Sequence, residues 1–337
     1  MVKVLVTGGA GFIGSNFVRH ALSAHPDWQV TTLDKLTYAG RRENLHDVMD
    51  HPRHSFVHGD ICDVAVAGPL VEGSNIVVHF AAETHVDRSI MAAGDFIRTD
   101  VEGTFVLLEA ARRAPALRRF VQISTDEVYG SVPEGESTER DELRPRNPYS
   151  ASKTGADRLA YSYFATYDVP VIVTRASNNY GPYQFPEKIL PLFVTNLVDD
   201  IPVPLYGDGG NVRDWLHVLD HCRAVDMLIE AGTSGEVYNI GGGNEVRNID
   251  LTHRVLSLME KPASLIKPVA DRPGHDRRYA VSTAKLRALG WTPHVPFEQG
   301  LRDTVAWYRE NEWWWRPIKE RDPAFKAYYE AQYGQRS

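Results

Sequence analysis
The sequence predicts an α/β fold in which a doubly wound parallel sheet carries a smaller, mixed α/β C-terminal domain. Three observations lead there. A β-branched apolar run, Val2 to Thr7, passes at once into a glycine-rich turn, Gly8 to Gly14, and then into a helical pattern through Phe17, Val18, Ala21 and Leu22. Apolar runs and helical periodicities keep alternating as far as residue 177, and such alternation gives a parallel sheet with helices on both faces. After Ser177 the texture changes to shorter elements, more prolines and more charge. The expected division is residues 1–177, with a strand near 236–241 returning to the main sheet, and residues 178–330.

Val30 to Leu33 reads as a strand closed by Asp34, and Ser55 to Asp60 as a strand ending in an acid. Asn75 to Ala82 is a further strand, with small residues at its end against which a cofactor can lie. Val101 to Arg113 is helical and Phe120 to Thr125 is a strand. Asn147 is a good N-cap and Pro148 a good first helical residue, so a long helix runs from Pro148 to Tyr167. Val169 to Thr174 is another β-branched strand, and Asn178 to Tyr183 is turn chemistry. Val203 to Tyr206 and Val237 to Ile240 are short strands, while Asp250 to Met259 and Phe297 to Arg309 are helical by periodicity.

The chain has 337 residues, 43% hydrophobic and 24% charged, which is room for a large core without staples. A net charge of -7 without a basic block argues against nucleic acid as a partner. The two cysteines, Cys62 and Cys222, make no framework of spaced pairs, which suits a reducing cytoplasm. Val2 to Thr7 is a strand where a charged-then-apolar leader would lie, and no apolar run approaches the ~18 residues of a membrane span.

Gly9, Gly11 and Gly14 fit the G-x-G-x-x-G spacing of a dinucleotide loop. Glycine permits the tight turn and lets a pyrophosphate approach the backbone, and the helix that follows points its N-terminus at the phosphates. Asp34 comes twenty residues after Gly14 at the next strand end. A carboxylate there accepts hydrogen bonds from a ribose and repels a 2′-phosphate, so the loop predicts NAD rather than NADP on a Rossmann-type sheet.

A second stretch carries the chemistry: Ser124-Thr125-Asp126-Glu127-Val128-Tyr129-Gly130, at the end of a buried strand. Two adjacent carboxylates are a poor choice for stability there, since buried acids shift their pKa or need partners. Tyr149 and Lys153 are four apart on the helix begun at Pro148, so they share a face. A lysine ammonium near a tyrosine lowers the phenol's pKa and makes it a usable base. Other signals read as ordinary structure. His217 and His221, near Asp214 and Cys222, form no open tetrahedral set, so no metal is expected. Trp313-Trp314-Trp315 is expected to pack the last helix down, and Arg316 to Asp322 to be a solvated segment.

Together these motifs resemble the extended short-chain dehydrogenase/reductase family, and within it the nucleotide-sugar 4,6-dehydratases. The general signal is Gly8 to Gly14 with Tyr149-x-x-x-Lys153. The specific one is Ser124 to Gly130 with Ala81 to Ser89, Asn178 to Gln184, and Asp271-Arg272-Pro273-Gly274-His275-Asp276. Thr84 stands where serine is usual, and Ile189-Leu190 reverses the commoner order.

The resemblance implies a lyase acting on dTDP-glucose with NAD: oxidation at carbon 4, loss of water across carbons 5 and 6, and hydride return to carbon 6. It implies Tyr149 as the base at the 4-hydroxyl, with Thr125 hydrogen-bonding that hydroxyl and Lys153 holding the ribose. Glu127 is then the base at carbon 5 and Asp126 the acid for the leaving 6-hydroxyl. Cofactor contacts are implied at Gly8, Gly11, Phe12, Ile13, Gly14, Asp34, Lys35, Leu36, Thr37, Asp60, Ile61, Phe80, Ala81, Ala82, Thr99, Tyr149, Lys153 and Asn179. Substrate contacts are implied at Thr84, His85, Thr125, Asn178, Lys188, Ile189, Pro204, Tyr206, Arg213, Asn248, Arg272 and His275, with the two arginines as diphosphate clamps. A homodimer is implied through a four-helix bundle of the helices at 101–113 and 148–167, with Phe105, Leu108, Leu159 and Tyr163 among its apolar positions. A 4-epimerase of the same fold has no need of the acid/base pair at 126 and 127, a decarboxylase could lack the aspartate, and a regulatory NAD sensor could lose Tyr149 or Lys153. This chain keeps all four.

Overall fold
The structure, a computed structural model, describes residues 1–271 and 274–334. Its strands are β1 (Val2–Thr7), β2 (Trp28–Asp34), β3 (His54–His58), β4 (Ile76–His79), β5 (Arg119–Thr125), β6 (Val171–Ala176), β7 (Asn178–Tyr180), β8 (Val203–Tyr206), β9 (Val212–His217), β10 (Val237–Ile240), β11 (Glu245–Arg247) and β12 (Ile266–Val269). Its helices are α1 (Phe12–Ala24), α2 (Val64–Glu72), α3 (Val86–Met91), α4 (Ala93–Phe96), α5 (Gly103–Arg113), α6 (Pro148–Tyr167), α7 (Ile189–Val198), α8 (Val218–Ala231), α9 (Asn248–Leu258), α10 (Ala284–Ala288), α11 (Phe297–Glu310), α12 (Glu312–Arg321) and α13 (Pro323–Tyr329).

Seven strands make the main sheet in the order β10-β6-β5-β4-β1-β2-β3, every neighbouring pair parallel. The doubly wound sheet read from the sequence is therefore present, and β10 is the returning strand, paired with β6 from Val237↔Val173 to Ile240↔Ala176. The chain order reverses between β1 and β4, so the carboxyl ends of these strands flank a crevice, the usual ligand position in such sheets. The glycine turn leaves β1 there and the Phe80–His85 loop leaves β4 there.

Apolar residues from the strands pack against helices on both faces. Val4, Val78 and Ile172 join Phe17 and Val18 of α1 and Leu228 of α8. Leu5, Val77 and Phe120 join Leu107 of α5 and Ala160 of α6. Full burial of such side chains contributes roughly 1.5–3 kcal/mol each. A third cluster unites Leu192, Trp215, Leu251, Tyr308 and Trp315 from the C-terminal elements. There β11, β9 and β7 form one small sheet, and β12 and β8 pair as another.

The ends of α6 agree with the sequence. Asn147 and Ser150 make a reciprocal capping box with Pro148 in the first turn, and the helix stops at Asp168 in a left-handed conformation (φ 57). Several details differ. Asn178 to Tyr180, read as turn, is β7, a three-residue strand that exists because β9 pairs with it. Residues Ile97–Glu102 form a π-helical turn ahead of α5. Trp314 and Trp315 are fully buried and donate their indole N–H to Asn44 Oδ1 and the Tyr308 carbonyl, but Trp313 is half exposed. Much of the stretch expected to be solvated lies in α12, which buries Ile318 and pairs Arg316 with Asp199, Glu312 and Glu320.

Of the residues expected on a dimer face, Leu108 and Tyr163 point into the core instead, and Leu159 packs against it. The face that α5, α6 and the π turn leave open carries Ile97, Phe105, Tyr161 and Tyr167. Arg158 and Arg112 lie over the two tyrosine rings, at 5.1 and 4.3 Å.

Candidate active site
The crevice at the ends of β1 and β4 is a cavity of about 310 Å³. Gly8 enters it with φ +69, and a Cβ there would lie 2.5 Å from the Ala81 backbone nitrogen. A Cβ on Gly14 would lie 2.2 Å from the Gly8 carbonyl. The turn is therefore closed to side chains, and α1 has Gly11 at its N-cap, with no capping side chain and no first-turn acid. Its first-turn amides and the positive end of its dipole are accordingly suited to an anion.

Asp34 closes β2 at the far wall. Its Oδ2 accepts from the Ala10 amide at 2.9 Å and its Oδ1 from the Leu36 amide at 2.8 Å. Burial raises its pKa and these amides hold it back. Each oxygen retains a lone pair for a further donor. Lys35 pairs with Asp60 at 2.6 Å beside it. Of the expected cofactor contacts, Leu36 alone does not line the cavity; its φ is +56 and its side chain packs on the core.

The reacting groups converge from β5 and α6. Thr125 caps the short turn after β5: its Oγ1 accepts from the Glu127 amide at 3.3 Å and lies 3.3 Å from Asp126 Oδ1. Asp126 is buried, and its Oδ2 has no partner among the described residues. Burial, with Glu127 and Asp214 nearby, raises its pKa well above the carboxylate range against the opposing pull of Arg213. That direction favours the proton-bearing carboxyl. Glu127 Oε2 accepts from Tyr279 at 3.3 Å and, at 3.5 Å, from the α6 cap residue Asn147.

Lys153 donates to the Ile123 carbonyl at 2.8 Å; burial lowers its pKa, while Asp100 and Asp157 favour its charge. The Tyr149 phenol is pushed up by burial and by Glu127 and Asp100, with a Thr125 hydrogen bond opposing. That direction differs from the depression expected from Lys153. The lysine shares its helix face with Tyr149, but its ammonium is engaged with a carbonyl and lies within reach of acids.

A second cavity of about 140 Å³ adjoins the first, and His85, Glu127, Asn178, Glu187 and Lys188 line both. Every described residue expected to contact substrate lines one cavity or the other; Arg272 lies outside the described residues. Arg213 donates to the carbonyls of Val212 (2.7 Å) and Asp276 (3.0 Å) and stacks at 4.4 Å on the Tyr279 ring. Lys188 reaches Thr84 Oγ1 at 3.4 Å.

Sequence reasoning missed Glu187, Tyr38, Asp100 and Tyr279. Glu187 is fully buried between Arg88 Nε and the Tyr38 hydroxyl, both at 2.9 Å, and burial raises its pKa. Asp100 takes the Ser152 hydroxyl at 2.6 Å and the Glu83 amide at 2.8 Å, and burial pushes it up to about 6. No local pattern in the sequence marks them, because their partners lie far along the chain.

Several polar atoms around the first cavity are buried without a partner among the described residues: Ser124 Oγ, Ser177 Oγ, Asn178 Oδ1 and His221 Nε2. With the closed glycine turn and Asp34, these groups fit a dinucleotide. No group of three or more His, Cys, Asp or Glu among the described residues is placed to hold a metal ion. His217 instead caps α8, and His221 bonds Asn179 at 3.0 Å.

The sequence pattern of the family described as GDP-mannose 4,6 dehydratase matches residues 5–304. The chain belongs to the GDP-mannose 4,6 dehydratase family. Within that family, a dTDP-glucose 4,6-dehydratase of Streptomyces niveus is 52% identical over 328 residues, covering 96% of this chain and 97% of the relative. The dTDP-glucose 4,6-dehydratase 1 of Escherichia coli K12 is 46% identical, covering 98% and 99%. Among solved structures, DesIV, a dTDP-glucose 4,6-dehydratase from Streptomyces venezuelae with NAD and TYD bound, matches at TM-score 0.92 and 52% identity over 94% of this chain and 100% of that one. A UDP-glucose 4-epimerase of Thermus thermophilus in complex with NAD matches at TM-score 0.85 and 32% identity, over 92% of this chain and 99% of that one. The resemblance read from the motifs is borne out by these matches.

Proposed function
We propose that this protein is an NAD-dependent dTDP-glucose 4,6-dehydratase, releasing dTDP-4-keto-6-deoxyglucose and water in deoxysugar biosynthesis. The observation that carries the reading is the pair Asp126–Glu127. One carboxyl is buried with its pKa raised, and the other accepts hydrogen bonds from Tyr279 and Asn147 at the junction of the two cavities. A 4-epimerase has no step that uses them.

NAD⁺, when bound, supplies the hydride acceptor for carbon 4 and the donor for carbon 6. Gly8, Gly11 and the start of α1 would hold its pyrophosphate, and Asp34 its adenosine ribose. Lys153 holds the second ribose. Tyr149 takes the 4-hydroxyl proton, with Thr125 bonded to the same oxygen. Burial raises the pKa of this phenol, and positive charge beside it would act in the opposite sense. The 4-ketone acidifies carbon 5; Glu127 removes that proton while Asp126 gives its own to the departing 6-hydroxyl, and Glu127 returns a proton to carbon 5 when hydride reaches carbon 6. Two carboxyls with separated protonation states can act together in this way. Arg213 meets the diphosphate through its guanidinium fork, and Asn178, Lys188, Asn248 and His275 orient the nucleotide sugar.

Residues 1–177 with β10 form the cofactor domain and also carry the reacting groups, and residues 178–330 mainly bind the sugar nucleotide. The open face of Ile97, Phe105, Tyr161 and Tyr167 pairs two copies through a four-helix bundle of α5 and α6. Two unpaired cysteines fit a reducing cytoplasm, and no described helix is long and apolar enough to cross a membrane. Incubation with dTDP-glucose, UDP-glucose and UDP-N-acetylglucosamine, followed by product identification, tests the reading: a 4-keto-6-deoxy product from dTDP-glucose supports it, and a C4 epimer or unchanged substrate refutes it.

A further inference from the structure
The turn that carries Asp126 and Glu127 is tied to the rest of the site by one buried guanidinium. It runs from Asp126 to Tyr129 at the end of β5, and Tyr129, its last residue, is buried. The Tyr129 hydroxyl accepts from Arg175 Nη1 at 2.8 Å and donates to Asn239 Oδ1 of β10 at 2.8 Å. Burial pushes this phenol up to about 12, with Arg175 and Asn239 opposing, so it keeps the proton that it donates. The Arg175 guanidinium also lies over the Tyr129 ring, 4.9 Å from its centre. Asn239 is itself fixed: its Nδ2 donates to the Ser137 carbonyl and its backbone N–H to Glu139 Oε1, each at 3.0 Å.

Arg175 stands on β6 and is buried. Its remaining donors go to Asp157 of α6, Nε to Oδ2 at 2.8 Å and Nη2 to Oδ1 at 3.1 Å. Arg158 Nε adds a bond to Oδ1 at 2.8 Å, so both oxygens of the buried carboxylate are engaged. Asp157 follows Lys153 by four residues, as Lys153 follows Tyr149, so the three share one face of α6. The acid/base turn and the helix that carries the oxidising pair are therefore held at one separation by a single planar fork. A buried ion pair adds little net stability, because desolvation offsets most of its attraction; the fork supplies fixed orientation. Thr125 needs no such tie, since it lies within β5 and pairs with Ala176. The backbone beyond it leaves the sheet.

We propose that Tyr129 and Arg175 are positioning residues for the elimination step, setting the Asp126–Glu127 turn against the face of α6 that carries Tyr149 and Lys153. The inference rests on the dehydratase reading of the site. It gives the buried Arg175–Asp157 pair a task in the second half of the reaction, apart from joining β6 to α6.

The test uses the full chain with NAD bound, as wild type, Tyr129→Phe and Arg175→Lys. Tyr129→Phe removes one hydroxyl and keeps the ring; Arg175→Lys keeps a charge beside Asp157 and loses the fork. Single turnovers of dTDP-glucose are followed at ~340 nm for reduced cofactor and, after alkali, at ~320 nm for the keto-deoxy product. Tyr129→Phe is expected to oxidise carbon 4 within about 3-fold of wild type and to lose water about 10-fold to 100-fold more slowly, the effect of moving a reacting group by about 1 Å. Reduced cofactor therefore accumulates. Arg175→Lys is expected to show the same split. Titrated affinities for NAD and dTDP, which report intact clefts, stay at their wild-type values in Tyr129→Phe. A merely structural role would lower the unfolding midpoint and leave the ratio of the two rates unchanged. If Tyr129→Phe loses water at the wild-type rate, or if oxidation and water loss slow by the same factor, the assignment is overturned. If wild type itself forms no keto-deoxy product, the dehydratase reading fails first and this inference falls with it.

Discussion

Replacing Asp126 with asparagine separates the two halves of the proposed reaction. The wild-type carboxyl is 3% exposed, its Oδ2 has no partner among the described residues, and burial with Glu127 and Asp214 nearby raises its pKa. Asparagine has the same shape and no proton to give. Oxidation at carbon 4 depends on Tyr149, Thr125 and Lys153, which the change leaves in place, so it survives. Loss of water slows by ~10²–10⁴, the usual contribution of a positioned acid, or roughly 3–5.5 kcal/mol of barrier. Because the amide fills the space of the carboxyl it replaces, the unfolding midpoint stays within about 2 °C of wild type. Single-turnover absorbance at ~340 nm follows reduced cofactor, and alkaline absorbance at ~320 nm follows the keto-deoxy product. The variant is expected to accumulate the first signal and to delay the second. If Asp126→Asn loses oxidation as completely as Tyr149→Phe, or dehydrates at the wild-type rate, Asp126 is not the leaving-group acid.

Titration with both dinucleotides is expected to show NAD bound at least ~10-fold more tightly than NADP, because a 2′-phosphate would meet the Asp34 carboxylate; equal affinities would remove Asp34 from the ribose. Light scattering at micromolar concentration is expected to give a dimer, and Phe105→Glu with Tyr161→Glu to give monomer, since both side chains lie on the open face. His79 lies between Thr7 and Thr104, and burial pushes its pKa down from 6.5 to about 3. Below pH 6.5 the unfolded chain therefore binds a proton that the fold refuses, and stability falls with pH toward 3 by up to ~1.4 kcal/mol per unit. Asp100, raised to about 6, acts in the opposite sense, so the check is the difference between wild type and His79→Gln in denaturant midpoints at pH 7, 5.5 and 4.5. Parallel curves would contradict the assignment.

What was legible in the sequence is what local chemistry dictates. The glycine turn, the Asn147–Pro148 helix start and the β-branched strands each declare themselves within a few residues, and the parallel order follows from their alternation. The motif residues likewise fall around two adjoining cavities. What was not legible depends on distant partners. Strand β7 exists because β9 lies beside it. Leu108 and Tyr163 carry the right polarity for an interface, but helix phase turns them inward and leaves Phe105 and Tyr161 outside. The Arg88–Glu187 pair spans 99 positions, and no local pattern brings it together. The pKa of Tyr149 was misread because proximity on a helix face does not fix where a lysine ammonium points.

The proposed reaction is a net internal transfer of hydrogen within one sugar, with acid/base elimination between its two ends. The most direct measurement is incubation of the protein with NAD and dTDP-glucose deuterated at carbon 4, followed by mass and NMR analysis of the product. The account predicts dTDP-4-keto-6-deoxyglucose carrying the deuterium on carbon 6, with no net consumption of NAD. Deuterium still at carbon 4 of an epimerised sugar, or NAD consumed in proportion to product, would contradict it.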